Sequence, residues 1–188
     1  HRPHVYGVPP GTLSIEPQSK PEAFAPAEAR AALGPRWTAR YPNPVDEQAR
    51  LEALRSARPE SDFAARVGAL VEQLRAQGGV VSVDSTVRSR ARGYLMWGAS
   101  WLSRASSEAQ VKARARTLAR VDRSWGVNVP IRWDDPRGWQ ETVTAAQKMA
   151  EAYDVVYATR TGARSSNHYD GLAVDLSAVD LPRSLTLS

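Results

Sequence analysis

The residues best suited to chemistry gather in one short run, Ser166-Asn167-His168-Tyr169-Asp170-Gly171-Leu172-Ala173-Val174-Asp175. An imidazole and a carboxylate are both good zinc ligands, binding at about 2.0–2.2 Å. Leu172, Val174 and Leu176 alternate with Ala173, Asp175 and Ser177, a pattern that predicts a strand with one apolar and one polar face. Asp175 then projects from an ordered strand beside small neighbours, and Ala173 leaves room above it. His168 falls at the opposite parity, so a single straight strand would splay the two side chains apart. The Asp170-Gly171 step supplies a turn or bulge that can re-aim the histidine. The same residues also allow a plainer arrangement, a hairpin with an exposed histidine and a capping aspartate.

A second segment, Ser85-Thr86-Val87-Arg88-Ser89, follows the apolar residues Val80, Val81 and Val83 and precedes a helical pattern. Arg88 sits at the mouth of that expected strand. Its planar guanidinium stays charged and can hold a carboxylate through two parallel hydrogen bonds. A surface arginine after a turn is the alternative.

Together the two segments resemble a known family. Ser166, His168, Gly171, Ala173 and Asp175 match the pattern Ser-x-His-x-x-Gly-x-Ala-x-Asp of the zinc D-Ala-D-Ala carboxypeptidases and dipeptidases. Phage endolysin peptidases and the hedgehog signalling domain share that fold. The resemblance covers about residues 60–180. It implies that His168 and Asp175 are the first two ligands of a catalytic Zn2+. It implies that Arg88, supported by Ser89, binds a substrate carbonyl or carboxylate, with Ser166 also on the substrate side. It further implies a bacterial, exported protein, periplasmic or extracellular, that hydrolyses peptidoglycan peptides. Two features depart from the family. Its glutamine, one turn into the helix after the arginine, is replaced by the neighbourhood Arg92-Gly93-Tyr94. Its third ligand is a histidine on a strand after the aspartate, with a glutamate base shortly before it; here no histidine follows His168 and no glutamate follows Glu151. Two expectations follow. Either the third ligand and the base lie beyond Ser188, or the chain is a non-catalytic module of the same fold that binds cell-wall peptide or a protein partner.

The elements that must position these residues read as α+β, a small, mainly antiparallel sheet with helices packed on one face, hedgehog/DD-peptidase-like by the resemblance. Residues 1–44 read as an extended proline-rich arm, with a short helix over Ala27–Leu33 stopped by Gly34. Residues 45–188 read as the α+β domain, incomplete at its C-terminus by that resemblance. Phe63, Val67, Leu70, Val71 and Leu74 recur at helical spacing, so a helix is predicted over Glu60–Gln77. Further helices are predicted over Arg90–Arg104, Ser106–Arg123 and Trp139–Tyr153, and strands over Val80–Val83 and Val155–Thr159. Trp97, Trp101, Trp125, Trp133 and Trp139 read as core, with Trp133 the one placed for ligand contact beside Asp134 and Asp135. The paired aspartates read as turn and cap residues.

Composition sets outer bounds. The chain has 188 residues, no cysteine and a formal net charge of +5. Disulfides, thiolate zinc sites and cysteine nucleophiles are therefore excluded. No apolar run reaches the length needed to span a bilayer, and His1–Pro10 carries no stretch of signal-peptide type. A basic surface favours anionic partners such as a bacterial wall. The arginine-rich segment Lys112–Arg123 raises nucleic acid as a further partner, but no recognised motif accompanies it, and a solvated helix face is the preferred reading. His1 and His4, on a proline-rich terminus, are not read as ligands.

Overall fold

Asp46 opens the first long helix among the described residues: its carboxylate accepts from the Ala49 amide at 2.7 Å, satisfying one of the unpaired donors of the first turn. The computed structural model describes residues 30–188, which divide into two compact units. It is α+β, with seven helices and two two-stranded sheets among the described residues, one of them antiparallel. None of those helices is long and apolar enough to cross a membrane.

Among the described residues, the first unit comprises 43–89 and 167–188. It contains α2 (Glu47–Ala57), α3 (Phe63–Ala76), β2 (Val80–Ser85) and β4 (Asp175–Val179). In α3, Val67, Val71 and Leu74 are buried at spacings of four and three, the inward stripe of an amphipathic helix. Gly78, at φ 89°, ends that helix where a side chain would be strained. In β2 the alternation is strict: Val81 and Val83 are buried while Ser82 and Asp84 are exposed. β2 pairs antiparallel with β4, from Val80 opposite Val179 to Ser85 opposite Asp175, with an irregularity between Val83 and Ser85 that leaves Asp84 as the extra residue. Val71, Leu74, Val81 and Val83 form one apolar cluster; Ala53, Leu54, Ala64, Val67 and Val87 form another, and Leu51 and Val174 pack against both. Helices thus cover one face of the ribbon and leave the other, polar face open.

The second unit comprises residues 90–166 and, among the described residues, 30–42. It contains β1 (Ala31–Ala32), α1 (Trp37–Arg40), α4 (Arg90–Leu102), α5 (Glu108–Trp125), β3 (Ile131–Arg132), α6 (Trp139–Ala152) and α7 (Arg160–Arg164). α4 is its axis, buried on nearly every side, with α5, α6 and α7 packed around it. Gly98 on α4 allows the Trp133 ring to approach so closely that an added Cβ would lie 2.2 Å from it. Tyr94 links three elements: its hydroxyl donates to the Leu118 carbonyl at 2.9 Å and accepts from Trp133 Nε1 at 2.8 Å. Ser107 caps α5 through the Gln110 amide, and left-handed Gly126 closes it.

Several expectations are corrected. The single small sheet is two separate ribbons, β2–β4 antiparallel and β1–β3 parallel. The described end of the expected helix Ala27–Leu33 is strand β1, because Ala31 and Ala32 pair with Ile131 and Arg132; the rest of that helix, and the arm before it, lie outside the described residues. From Arg30 to Tyr41 the chain is not an extended arm: Leu33, Trp37 and Tyr41 are buried in the core of the second unit. Val155–Thr159 forms no strand; Val156 is 95% exposed, and β-branched residues without a pairing partner cannot make a sheet. The tryptophans do build the core, Trp97 and Trp133 fully buried, and Trp101 and Trp125 stacked on Trp97. Asp135 receives both the amide and the guanidinium of Arg137 and does not cap α6, whose first turn follows Gly138.

Candidate metal and substrate site

The first unit brings His168, Asp175 and Arg88 together. Their positions follow from the open end of the β2–β4 ribbon. β2 ends at Ser85 opposite Asp175, the first residue of β4, so Arg88 leaves the ribbon where Asp175 enters it. His168 is not on the strand at all. It lies in a turn closed by the amides of Asp170 and Leu172, both donating to the Asn167 carbonyl. Gly171, at φ 68°, completes that turn in the left-handed region. Its missing side chain also permits contact with α2, since a Cβ there would sit 2.7 Å from that of Ala57. Arg58 ties the same turn down, its Nε donating to the Asp170 carbonyl at 2.9 Å. The parity problem vanishes because the chain turns before the strand begins.

Thr86 fixes the histidine. Its carbonyl oxygen lies 2.6 Å from His168 Nδ1, and the His168 carbonyl in turn accepts from the Arg88 amide at 3.1 Å. A carbonyl can only accept, so Nδ1 carries the proton and, in the neutral ring, Nε2 offers its lone pair. Thr86 is itself fully buried, its hydroxyl donating to the Arg50 carbonyl at 2.6 Å. Nothing in a side-chain pattern could have revealed this anchor, because the group that matters is a backbone carbonyl. A backbone partner on the far nitrogen is what orients most metal-binding histidines.

Nε2 points at Asp175, 3.5 Å from Oδ2. Two ligands at 2.0–2.1 Å from one tetrahedral zinc stand about 3.3–3.4 Å apart, so the pair has the separation of a two-point chelate. His168 is largely enclosed, its side chain 14% exposed, whereas Asp175 is 55% exposed and faces the open side of the ribbon. Arg88 Nη2 stands 3.8 Å from the same Oδ2, with its side chain 21% exposed. Ser89 is buried, and Ser166, half-buried after α7, falls in the second unit. No cluster of three or more histidine, cysteine, aspartate or glutamate residues suited to a metal occurs among the described residues.

Beside the three residues runs a polar stripe that was not anticipated. Asp84 accepts hydrogen bonds from Ser177 and from Ser82, the latter at 2.7 Å, and these bonds, Ser177 first, hold its carboxyl below the usual range. The alternation Val81-Ser82-Val83-Asp84 carries the signal: it sends Ser82 and Asp84 to the same open face as Asp175 and Ser177. Comparisons with protein-family models, curated proteins and solved structures returned no match to this chain.

Proposed function

We propose that the chain carries two protein ligands, His168 and Asp175, of a zinc-dependent peptidase resembling the D-Ala-D-Ala carboxypeptidases and acting on bacterial cell-wall peptides. The observation that carries this reading is the locked imidazole: Nδ1 held by the Thr86 carbonyl, with Nε2 presented 3.5 Å from Asp175 Oδ2. The order of parts also supports a hedgehog/DD-peptidase-like arrangement. A strand, Arg88-Ser89 and a helix come first, and a histidine turn then feeds an aspartate into an antiparallel partner strand.

In this reading His168 and Asp175 hold the ion, and Arg88 receives a substrate carboxylate or carbonyl at the ribbon's end. When bound, zinc would polarise the scissile carbonyl and lower the pKa of its water to about 7. The Arg88 guanidinium draws the peptide to the open face and orients it by its fixed fork. A third protein ligand and a general base are still required; the resemblance implies a histidine on a strand after the aspartate and a glutamate shortly before it. The test is elemental analysis of purified protein together with digestion of purified muropeptides. Stoichiometric zinc and released peptide support the reading. Protein that neither retains zinc nor cleaves any muropeptide counts against it.

One observation favours a second reading, a binding module of the same fold. Asp175 is already flanked by Arg88 at 3.8 Å, so the guanidinium can balance it without metal. Such a module would stay bound to purified peptidoglycan in the presence of chelator, whereas a zinc-dependent site would not.

A further inference from the structure

In the second unit, Lys112, Ala115, Arg116, Ala119 and Arg123 recur along α5 at spacings of three and four, and therefore share one face of the helix. That face forms one wall of a cleft of about 450 Å³. Arg30, Arg132 and Asp134 stand on the other side, and the buried Ile131 and Trp133 line its depth. The two alanines explain why there is a cleft at all. They set short side chains between long ones, so the cations rise around a hollow instead of filling it.

Five cationic side chains thus surround a space that holds one carboxylate, Asp134. Part of this charge is balanced locally: Lys112 pairs with Glu108 at 2.6 Å and Arg132 with Asp134 at 3.6 Å. Arg116 and Arg123 are exposed residues of the same helix face. Arg30 is different. It is only 8% exposed, and its Nη1 donates to the Ile131 carbonyl at 3.2 Å, which fixes the guanidinium in place. Burial pulls its pKa below the ordinary arginine value; the nearby Asp122 opposes this, and the like charge of Arg123 adds to the lowering. Buried Asp122 offsets part of the charge of both Arg30 and Arg123.

We propose that this cleft binds a compact phosphorylated molecule, its phosphoryl oxygens met by Arg116 and Arg123 from α5 and by Arg30 and Arg132 from the opposite wall. Guanidinium forks match phosphoryl oxygens two at a time. The charge around the cleft calls for a ligand carrying at least two negative charges in a small volume, which a single carboxylate does not provide. The cavity lies in the size range of small-molecule sites, and it is closed at depth by apolar side chains, unlike a continuous track for a polymer. The site is confined to the second unit and is independent of the zinc reading.

The test is calorimetric titration of the full chain with inorganic pyrophosphate in metal-free buffer at low ionic strength. Saturable binding at one site is expected, weakened at least tenfold by Arg116→Ala and by Ala119→Trp, which fills the hollow. Arg120→Ala removes the same charge from α5 outside the cleft and should leave affinity within twofold. Circular dichroism checks folding, and Arg123→Ala replaces Ala119→Trp if the larger side chain is not tolerated. The proposal is overturned by absence of saturable binding, or by equal weakening in Arg116→Ala and Arg120→Ala, which would mean diffuse surface attraction. It is also overturned if a single-stranded oligonucleotide binds more tightly with length and resists displacement by pyrophosphate, the behaviour of a nucleic-acid track.

Discussion

The Thr86 carbonyl and the His168 ring are 2.6 Å apart although 82 residues separate them in the chain, and this contact decides which nitrogen faces Asp175. With Nδ1 occupied as a donor, the only metal-competent atom of the ring is Nε2, and it is directed at the carboxylate.

The first prediction follows from that relationship. Zinc binding to the full chain, measured by competition with a chromophoric chelator, should weaken at least tenfold in His168→Ala and in Asp175→Asn. Thr86→Val leaves the backbone carbonyl in place but removes the hydroxyl bond to the Arg50 carbonyl, at a cost of about 0.5–1.5 kcal/mol. Its loss of stability should exceed its loss of zinc affinity. Equal zinc binding by the wild type and both ligand variants would dismiss the chelate.

Arg88 gives the second prediction. Arg88→Lys keeps the charge but replaces a planar fork with a single ammonium, so affinity for a peptide ending in a free carboxylate should fall about tenfold, with zinc content unchanged. Fluorescence anisotropy of a labelled muropeptide reads this directly. If Arg88→Lys binds as tightly as the wild type, the guanidinium serves only its contact with Asp175.

Gly171 gives the third. Its φ of 68° disfavours any side chain, and a Cβ would meet Ala57 at 2.7 Å. Gly171→Val should destabilise the first unit by about 2–4 kcal/mol, combining backbone strain with overpacking. Gly171→Ala should cost less. Far-UV circular dichroism during urea unfolding measures both, and limited proteolysis should show earlier cleavage near the Asp170 turn. Wild-type stability in Gly171→Val would mean that α2 can move away from the turn without penalty.

How much of this was legible depended on whether the deciding contact was local. The helical stripes of α3 to α6 were readable because Val67, Val71 and Leu74, or Val111, Leu118 and Val121, repeat within one element. α2 was overlooked although Asp46 and Glu47 mark its start, because only Ala53 and Leu54 are buried along it and so its apolar stripe is short. β1 was misread because an alanine-rich stretch favours helix locally, while its actual pairing joins Ala31 to Ile131, 100 residues away. At the site, the identities of His168, Asp175 and Arg88 could be read directly. Their convergence could not, because it depends on a backbone carbonyl, a left-handed glycine and the register that sets Ser85 opposite Asp175.

Asp122 supplies the last prediction, one of pH dependence. The residue is fully buried on α5. Oδ1 accepts from the Val129 amide at 3.0 Å, and the Asn128 amide also faces the carboxylate. Burial pushes its carboxyl up to about 6, against the opposing pull of the Val129 amide and Arg30. The folded state therefore binds this proton more tightly than the unfolded chain, where the ordinary value is 3.8. Below about pH 4 both states are protonated and the group costs nothing. Between about pH 4 and 6 the folded state holds more protons, so stability falls as pH rises; above about pH 6 the loss is complete, on the order of 3 kcal/mol. All six tryptophans lie in the second unit, so their fluorescence during urea unfolding follows the unit that contains Asp122. Asp122→Asn retains an acceptor for Val129 and does not titrate, so the stability of the variant relative to wild type should rise between pH 4 and pH 7. A difference that stays constant across that range would mean that Asp122 titrates alike in both states, and that burial imposes no charge penalty there.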